Sequence, residues 1–195
     1  MAPDVNLILA STSPYRRDLL ARLQVPFSVA DPGVEEQPRA GETAQDMARR
    51  LAEAKARAVG AREPGAIVIG CDQVAVADGN IIGKPGDRDN AARQLRALSG
   101  REVQFHTALC VHNAASAKTA TRLVTTRVAF RVLDDAAIER YLEHEQAYDC
   151  AGSAKVEGLG IALIERIEGA DPNALIGLPL IALVDLLAEH GVRIP

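Results

Sequence analysis

An aspartate, Asp72, interrupts an apolar segment that otherwise suits a buried strand. The apolar residues 67–69 precede it, and residues 74–76 continue the pattern after it. A buried carboxylate is costly unless it is paired or binds a cation. Two alternatives stay open: Asp72 has such a partner, or a turn or bulge lets it reach water or cap a neighbour.

A group of hydroxyls and cations lies where a predicted strand meets a predicted helix: Ser11, Ser13, Arg16 and Arg17. Ser13 can cap that helix, and Pro14 can occupy its first position. Free backbone amides at such a junction, together with hydroxyl and guanidinium groups, can form an anion site. The alternative is a capped amphipathic helix whose arginines are solvated.

Three further charged residues lie in predicted loops: Lys84 before Pro85, and Lys155 with Glu157 in a segment that contains three glycines. Loop lysines are usually solvated, so each of them alone is a weak signal. The case for a phosphate site depends on their occurrence together with the serines and arginines near the amino terminus.

The common phosphate-binding motifs are absent. There is no Gly-x-x-x-x-Gly-Lys-Ser/Thr loop, and Gly158-Leu159-Gly160 lacks the third glycine of a dinucleotide fingerprint. The sequence therefore excludes a P-loop enzyme and a typical dehydrogenase.

The cysteines and histidines form no disulfide or zinc pattern. The three cysteines lie far apart and outside any Cys-x-x-Cys pair, and no His-Glu-x-x-His spacing is present. We expect reduced thiols that are mostly buried, and no structural zinc site. The residues are Cys71, Cys110, Cys150, His106, His112, His144 and His190.

Charge and hydropathy exclude several classes of partner. The chain of 195 residues has a net charge of −4, so it has no global basic field that would attract nucleic acid. The longest apolar segments, residues 66–77 and 178–187, contain aspartates and are too short to span a bilayer. The start, Met1-Ala2-Pro3-Asp4, has no basic segment ahead of an apolar one, so we expect no secretory signal. We expect one domain over residues 1–195, located in the cytoplasm, without a nucleic-acid or membrane partner.

Strands and helices alternate along the chain without a strict βαβ order. Predicted strands cover residues 6–10, 27–30, 66–77, 81–82, 102–112, 119–132 and 161–165. Predicted helices begin at Pro14, follow Thr43 to about residue 59, cover residues 89–98, follow Asp134, and cover residues 178–189. The turn at Asp78-Gly79-Asn80 predicts a hairpin. Hairpins and crossovers together predict an α/β fold with a mixed sheet.

Several segments, in order along the chain, carry a more specific signal. They are Leu7 to Arg17, Ile69 to Val74, Gly83-Lys84-Pro85, Leu98-Ser99-Gly100, Cys150 to Gly158, and Asp171-Pro172-Asn173 through Gly177-Leu178-Pro179. These segments closely resemble the signatures of the Maf family, the septum-formation-inhibitor-like nucleoside triphosphate pyrophosphatases, over essentially the whole chain. The resemblance implies an elongated mixed β-sheet with flanking helices, similar to the ITPases, in two lobes around a nucleotide-binding cleft.

The resemblance also implies a reaction, the hydrolysis of a nucleoside triphosphate to the monophosphate and diphosphate. Asp72 would be the proton acceptor that activates the attacking water. Glu36, together with Asp72, would bind Mg²⁺ or Mn²⁺, which suit carboxylate and phosphate oxygens. The implied phosphate ligands are Ser11, Ser13, Arg16, Arg17, Lys55, Lys84 and Lys155.

Three positions resemble the Maf subgroup that hydrolyses 7-methyl-GTP: Tyr15, Gln73 and Glu157. The subgroup for thymidine and uridine triphosphates has Arg, Thr and Gln at these places, respectively. The methylated base is cationic, so an aromatic ring attracts it by stacking and by a cation–π interaction. A carboxylate can accept hydrogen bonds from the N–H groups of guanine. The subgroup often has Trp where this chain has Tyr15.

The same sequence segments leave other functions open. The substrate could be UTP and dTTP, or inosine and xanthosine triphosphates removed as a housecleaning step. A protein of this kind could also bind nucleotide as a signal in cell division or septum formation, without turnover. The resemblance is compatible with a homodimer.

Overall fold

The computed structural model describes residues 5–194 and contains seven strands and five α-helices in that range. The strands are β1 (Leu7–Ala10), β2 (Ser28–Ala30), β3 (Ile67–Ala77), β4 (Asn80–Ile82), β5 (Glu102–Asn113), β6 (Thr119–Phe130) and β7 (Ile164–Glu168). The helices are α1 (Pro14–Ala21), α2 (Ala44–Gly60), α3 (Arg88–Leu98), α4 (Asp135–His144) and α5 (Leu180–Glu189). A short 3₁₀ helix covers Leu159–Leu163.

The strands form one sheet of mixed direction. Their order is β2-β1-β3-β5-β6-β7, and β4 pairs with β3 outside this path. β1 is parallel to both β2 and β3, whereas β4 is antiparallel to β3 and β7 is antiparallel to β6. The prediction of an α/β fold with a mixed sheet is confirmed.

Side-chain caps fix the starts of the helices that the sequence predicts. The Thr43 hydroxyl accepts a hydrogen bond from the backbone N–H of Asp46 at 3.1 Å and begins α2. Asp134 begins α4 in the same way, through a 2.7 Å bond from the Ala137 N–H. Such a cap satisfies a backbone donor that has no partner within the helix. Both predicted helix starts are confirmed, as is the hairpin between β3 and β4.

The prediction of a strand over residues 161–165 is wrong in its boundaries. Residues 161–163 belong to the 3₁₀ helix, and β7 begins only at Ile164. The cause is local: the carbonyl of Lys155 accepts hydrogen bonds from the N–H groups of Gly158 and Gly160, which closes the preceding segment into turns. Pairing with β6 then starts beside an irregularity between Ala129 and Phe130.

The chain divides into two compact units. The described part of the first unit runs to Gln73, then from Thr107 to Val124, and from Asp171 onward. The second unit comprises Val74–His106 and Thr125–Ala170. The core of the first unit packs apolar side chains of β1, α1, β3, β5 and α5 together, and fully buried leucines of α5 such as Leu183 and Leu186 belong to it.

The cysteines are not joined in disulfides, and most of them are buried, as predicted: Cys71 and Cys110 are buried and Cys150 is half-buried. Across the part of the chain that the structure describes, no helix has the length and apolar character needed to cross a membrane. The prediction made from Met1-Ala2-Pro3-Asp4 lies outside the described residues.

Candidate active site

Asp72 is a buried member of β3, and its carboxylate has a cationic partner. Its Oδ1 accepts a hydrogen bond from Lys55 Nζ on α2 at 2.6 Å, and only 8% of the Asp72 side chain is exposed. Glu36 Oε1 forms an ion pair with the same Nζ. The first alternative from the sequence therefore holds: Asp72 stays in the strand and is paired, with no turn or bulge to carry it to water.

A glycine in β3 brings the Lys55 helix close enough for this pairing. A β-carbon at Gly70 would lie 2.8 Å from the backbone nitrogen of Ala56 and closer still to the carbonyl oxygen of Ala52. Both of these residues flank Lys55 on α2. Because Gly70 has no side chain, the helix backbone rests directly on the strand and Lys55 reaches Asp72.

Burial is the main influence on the Asp72 carboxyl and raises its pKa above the ordinary value of 3.8. The positive charges of Lys55 and Arg16 oppose this effect, and the negative charge of Glu36 adds to it. Asp72 therefore holds a proton more tightly than an exposed aspartate does. A carboxylate with this property is suited to accept a proton from water.

The turn between β1 and α1 brings a hydroxyl and a guanidinium together. Ser11 is buried, and its Oγ accepts hydrogen bonds from the Ser13 N–H at 3.2 Å and from Arg16 Nη1 at 3.5 Å. Ser13 Oγ accepts the Arg16 N–H at 3.4 Å and caps α1, as predicted. Arg16 Nε donates to the carbonyl oxygen of Gly177 at 3.0 Å, so this guanidinium is held on the protein rather than solvated.

The neighbouring predicted ligands are placed differently. Arg17 pairs with Asp18 at 3.2 Å, and 58% of its side chain is exposed. Its surroundings match the alternative of a solvated arginine on a capped helix. Its ion pair is with Asp18 and not with Asp72, Lys55 and Glu36, the group that we call the Asp72 cluster. Tyr15 is half-buried on the first turn of α1.

Gln73 is fixed by hydrogen bonds to the protein. Its Nε2 lies 2.9 Å from Thr107 Oγ1, 2.9 Å from the Ala174 carbonyl oxygen and 3.2 Å from the Leu175 carbonyl oxygen. The Thr107 hydroxyl in turn donates to the Ala174 carbonyl at 3.0 Å. Nε2 is thus fully used, and only Oε1 of Gln73 is available for contact with a base.

A bidentate ion pair fixes the segment that follows Glu36. Arg50 of α2 donates two hydrogen bonds to Glu42, at 2.5 and 2.7 Å, and a third to the Gln37 carbonyl oxygen at 3.1 Å. Two parallel bonds between a guanidinium and a carboxylate fix direction as well as distance. The Arg50 hydrogen bond is the main reason that the pKa of Glu42 falls from 4.5 to about 2.

Replacing Glu42 by glutamine is expected to destabilise the protein in a pH-dependent way. The pKa of Glu42 is lower in the folded state, so its contribution is complete above pH 4.5 and declines as the pH falls toward about 2. Urea unfolding midpoints of the wild type and Glu42→Gln should differ at pH 7 and converge at acidic pH. Glu35→Gln, at an exposed carboxylate of the same segment, is the control, and a midpoint difference that does not change with pH contradicts the expectation.

The second unit carries the other predicted ligands. Lys84 is exposed and lies between β4 and the Asp87 that caps α3. Lys155 Nζ lies 3.4 Å from Glu145 Oε1, and the backbone N–H of Lys155 donates to the Tyr141 hydroxyl at 3.1 Å. Glu157 is exposed two residues further on.

Two carboxylates, Glu36 and Asp72, converge on one atom, Lys55 Nζ. Within residues 5–194, no group of three or more His, Cys, Asp or Glu side chains could hold a metal ion by itself. Mg²⁺ is commonly bound by one or two carboxylates together with substrate phosphates. The pair fits that mode of binding, in which nucleotide oxygens complete the coordination.

Comparison with known proteins places this arrangement in a family. The family model described as "Maf-like protein" matches residues 6–190. The chain belongs to the Maf family. The match includes both compact units and every site residue discussed above, so the Maf assignment from the sequence is confirmed.

The relatives of this Maf protein include several with the same name, "7-methyl-GTP pyrophosphatase". The protein of that name from Paraburkholderia xenovorans is 60% identical over 95% of this chain and 92% of its own. The one from Nitrosospira multiformis is 59% identical, covering 97% and 96% of the two chains. The one from Pseudomonas aeruginosa is 53% identical over 97% and 99%.

Sequence reasoning assigned no role to two backbone features of the Maf site. One is the Gly177 carbonyl, which accepts hydrogen bonds from both Arg16 and, at 3.1 Å, Cys71 Sγ. The other is the close approach at Gly70. Both glycines lie in segments that resemble the family signatures. A glycine inside a predicted strand can indicate a close backbone approach, as at Gly70, but a backbone carbonyl such as that of Gly177 has no residue-type signal.

Proposed function

We propose that this Maf protein is a nucleoside triphosphate pyrophosphatase that hydrolyses 7-methyl-GTP to 7-methyl-GMP and diphosphate. The observation that carries the reaction is the buried Asp72 carboxylate, paired with Lys55 beside Glu36. A carboxylate near a polyphosphate repels it, so its presence there needs a reason: it serves as a base, or it binds a cation that offsets the repulsion. The Asp72 cluster has the composition for both roles.

In the proposed step, a water oxygen attacks the α-phosphorus and Asp72 accepts the proton that the water loses. A new phosphorus–oxygen bond forms, and the bond from the α-phosphorus to the bridging oxygen breaks. The electron pair of that bond leaves with diphosphate. The raised pKa of Asp72 supports its role as proton acceptor, because it makes the carboxylate a stronger base.

Cations would neutralise the phosphate charge during this step. Ser11 and Arg16 are the best-supported ligands, because Arg16 is held beside the buried Ser11 hydroxyl at the start of a helix. Guanidinium groups match phosphate oxygens in geometry and stay charged. Lys55 is placed directly on Asp72, where its charge can reach both the carboxylate and a bound phosphate. The remaining proposed ligands are Ser13, Arg17, Lys84 and Lys155.

A divalent cation, Mg²⁺ or Mn²⁺, is proposed to bind through Glu36 and Asp72 together with the nucleotide. Bound there, it would supply charge neutralisation to the phosphates. Lys55 Nζ forms an ion pair with each of these carboxylates and would keep them close together.

The preference for 7-methyl-GTP rests on the relatives of that name and on three side chains. Tyr15 would stack on the cationic base, and Glu157 would accept hydrogen bonds from the N–H groups of guanine. Gln73 would contribute through its Oε1 atom or by fixing the segment of Ala174 and Leu175. Hydrolysis of a methylated nucleotide would remove it from the cytoplasmic pool from which nucleic acids are made.

The test is diphosphate release from a panel of 7-methyl-GTP, GTP, UTP, dTTP and inosine triphosphate, with Mg²⁺ or Mn²⁺. Selective release from 7-methyl-GTP supports the proposal. Release chiefly from UTP and dTTP keeps the reaction and overturns the substrate. No release from any nucleotide, in folded protein with metal present, contradicts the proposal and favours a nucleotide-binding regulator of cell division.

Glu157→Gln should lower the preference for 7-methyl-GTP over UTP, expressed as the ratio of their kcat/KM values, by about tenfold. The amide of the introduced glutamine is a weaker hydrogen-bond acceptor than a carboxylate. Its NH₂ group is also a donor, and it would face the donor N–H groups of guanine. Glu165→Gln, at another exposed glutamate of the second unit, should leave the ratio unchanged. An unchanged ratio in Glu157→Gln would show that the specificity assignment is wrong, even if hydrolysis is confirmed.

A further inference from the structure

The carboxamide of Gln94 joins two loops of the second unit. Gln94 lies half-buried on α3, and its Nε2 donates to the carbonyl oxygen of Gly83 at 3.0 Å. Its Oε1 accepts a hydrogen bond from Ser153 Oγ at 2.5 Å. The first of these bonds fixes the residue before Lys84, and the second fixes the residue two positions before Lys155.

Ser153, which accounts for one end of this link, is buried and has an uncommon backbone conformation. Ser153 is fully buried, and its backbone has a φ of +54°, a region that residues other than glycine rarely adopt. A buried hydroxyl needs a hydrogen-bond partner, and Gln94 supplies it. The bond therefore holds the loop in a conformation that the chain would not otherwise favour.

Each loop is also anchored at another point of the second unit. The Gly86 N–H donates to the Tyr148 carbonyl oxygen at 3.0 Å, beside the Gln94 link to Gly83. On the other loop, the Lys155 N–H donates to the Tyr141 hydroxyl. The Gln94 side chain contacts both lysine-bearing loops at once.

We infer that Gln94 is a positioning residue, which sets the spacing of Lys84 and Lys155 so that both ammonium groups bind the same diphosphate moiety. The inference rests on the proposed function. Lysine has a long flexible stem, so the geometry of a two-lysine site depends on where the backbone places each stem. Fixing both backbones before the ligand arrives reduces the entropy lost on binding.

The role of Gln94 is tested with Gln94→Met, which keeps the length of the side chain and removes both hydrogen bonds. Inhibition constants are measured for inorganic diphosphate and for 7-methyl-GMP in the full-length protein. The diphosphate constant should rise about tenfold, whereas that of 7-methyl-GMP, which lacks the two outer phosphates, should not change. The matched control is Gln104→Met, on a half-buried glutamine of β5 in the same unit.

A second variant keeps the test decisive if Gln94→Met does not fold. Ser153→Ala cuts the same link at its other end and should raise the diphosphate constant several-fold. Where both single variants fold, their effects should not add in the double variant, because both substitutions break one connection. Additive effects would contradict the link.

The outcomes separate this inference from the proposed function. A wild type that releases no diphosphate from any nucleotide contradicts the proposed function. An active wild type with Gln94→Met equal to Gln104→Met contradicts the positioning role alone. If Gln94→Met weakens the binding of diphosphate and of 7-methyl-GMP equally and also lowers the unfolding temperature, the role of Gln94 is only structural. That result also overturns the inference.

Discussion

Asp72→Asn should lower kcat/KM for 7-methyl-GTP by about a thousandfold, the usual contribution of a general base. Asparagine has nearly the same shape, and its carbonyl oxygen can still accept the hydrogen bond that Asp72 Oδ1 receives from Lys55. Lys55 also keeps its ion pair with Glu36. We therefore expect the variant to fold, which is checked by thermal unfolding beside the steady-state rates.

Glu36→Gln is the control that shows whether Asp72 acts as a base or only as a metal ligand. Glu36 shares Lys55 with Asp72, but its side chain is 56% exposed, whereas that of Asp72 is buried. Raising the Mn²⁺ concentration should restore part of the activity of Glu36→Gln and none of that of Asp72→Asn. Equal recovery of both variants would show that Asp72 acts through metal binding rather than as the proton acceptor.

Gly70→Ala is expected to cost about 3 kcal/mol of unfolding free energy, because the added methyl group overlaps the backbone of α2. The overlap involves the Ala52 carbonyl oxygen and the Ala56 nitrogen, which no change of side-chain rotamer can relieve. The helix must move away and carry Lys55 with it. In the molecules that remain folded, kcat/KM should fall about a hundredfold, since small displacements of a site have effects of that size.

Urea unfolding and steady-state rates measure the two consequences of Gly70→Ala separately. Gly83→Ala is the stability control, because a β-carbon there meets no atom within 4 Å. Its unfolding free energy should change by less than about 0.5 kcal/mol. If Gly70→Ala is as stable as Gly83→Ala, the helix does not rest directly on the strand.

Local patterns in the sequence were sufficient to predict most of the fold. The caps at Thr43 and Asp134 and the turn at Asp78-Gly79 each depend on neighbours within four residues, and they appear where predicted. The strand predicted at residues 161–165 has the wrong boundaries, because the apolar residues 161–163 suit a 3₁₀ helix equally well. The hydrogen bonds to the Lys155 carbonyl, which decide between the two, leave no trace in the pattern.

The site was predictable in its residue types but not in its pairings. A carboxylate inside an apolar strand indicated that Asp72 needs a partner, yet nothing in the pattern named Lys55, which is 17 positions away. Gln73 was considered for its contact with a base, and its bonds to Ala174 and Leu175 come from a segment about a hundred positions later. Side chains such as Gln94, whose effect depends on joining two loops, are visible only in three dimensions.

The hydrogen bond between Arg16 and Gly177 joins residues that are 161 positions apart in the chain. During translation, Arg16 leaves the ribosome on the order of ten seconds before Gly177 is made, at usual rates of elongation. Throughout that time the guanidinium lacks the carbonyl that holds it beside Ser11. A nascent chain therefore cannot complete the turn that we propose to bind phosphate until residues 171–177 have been synthesised and have docked.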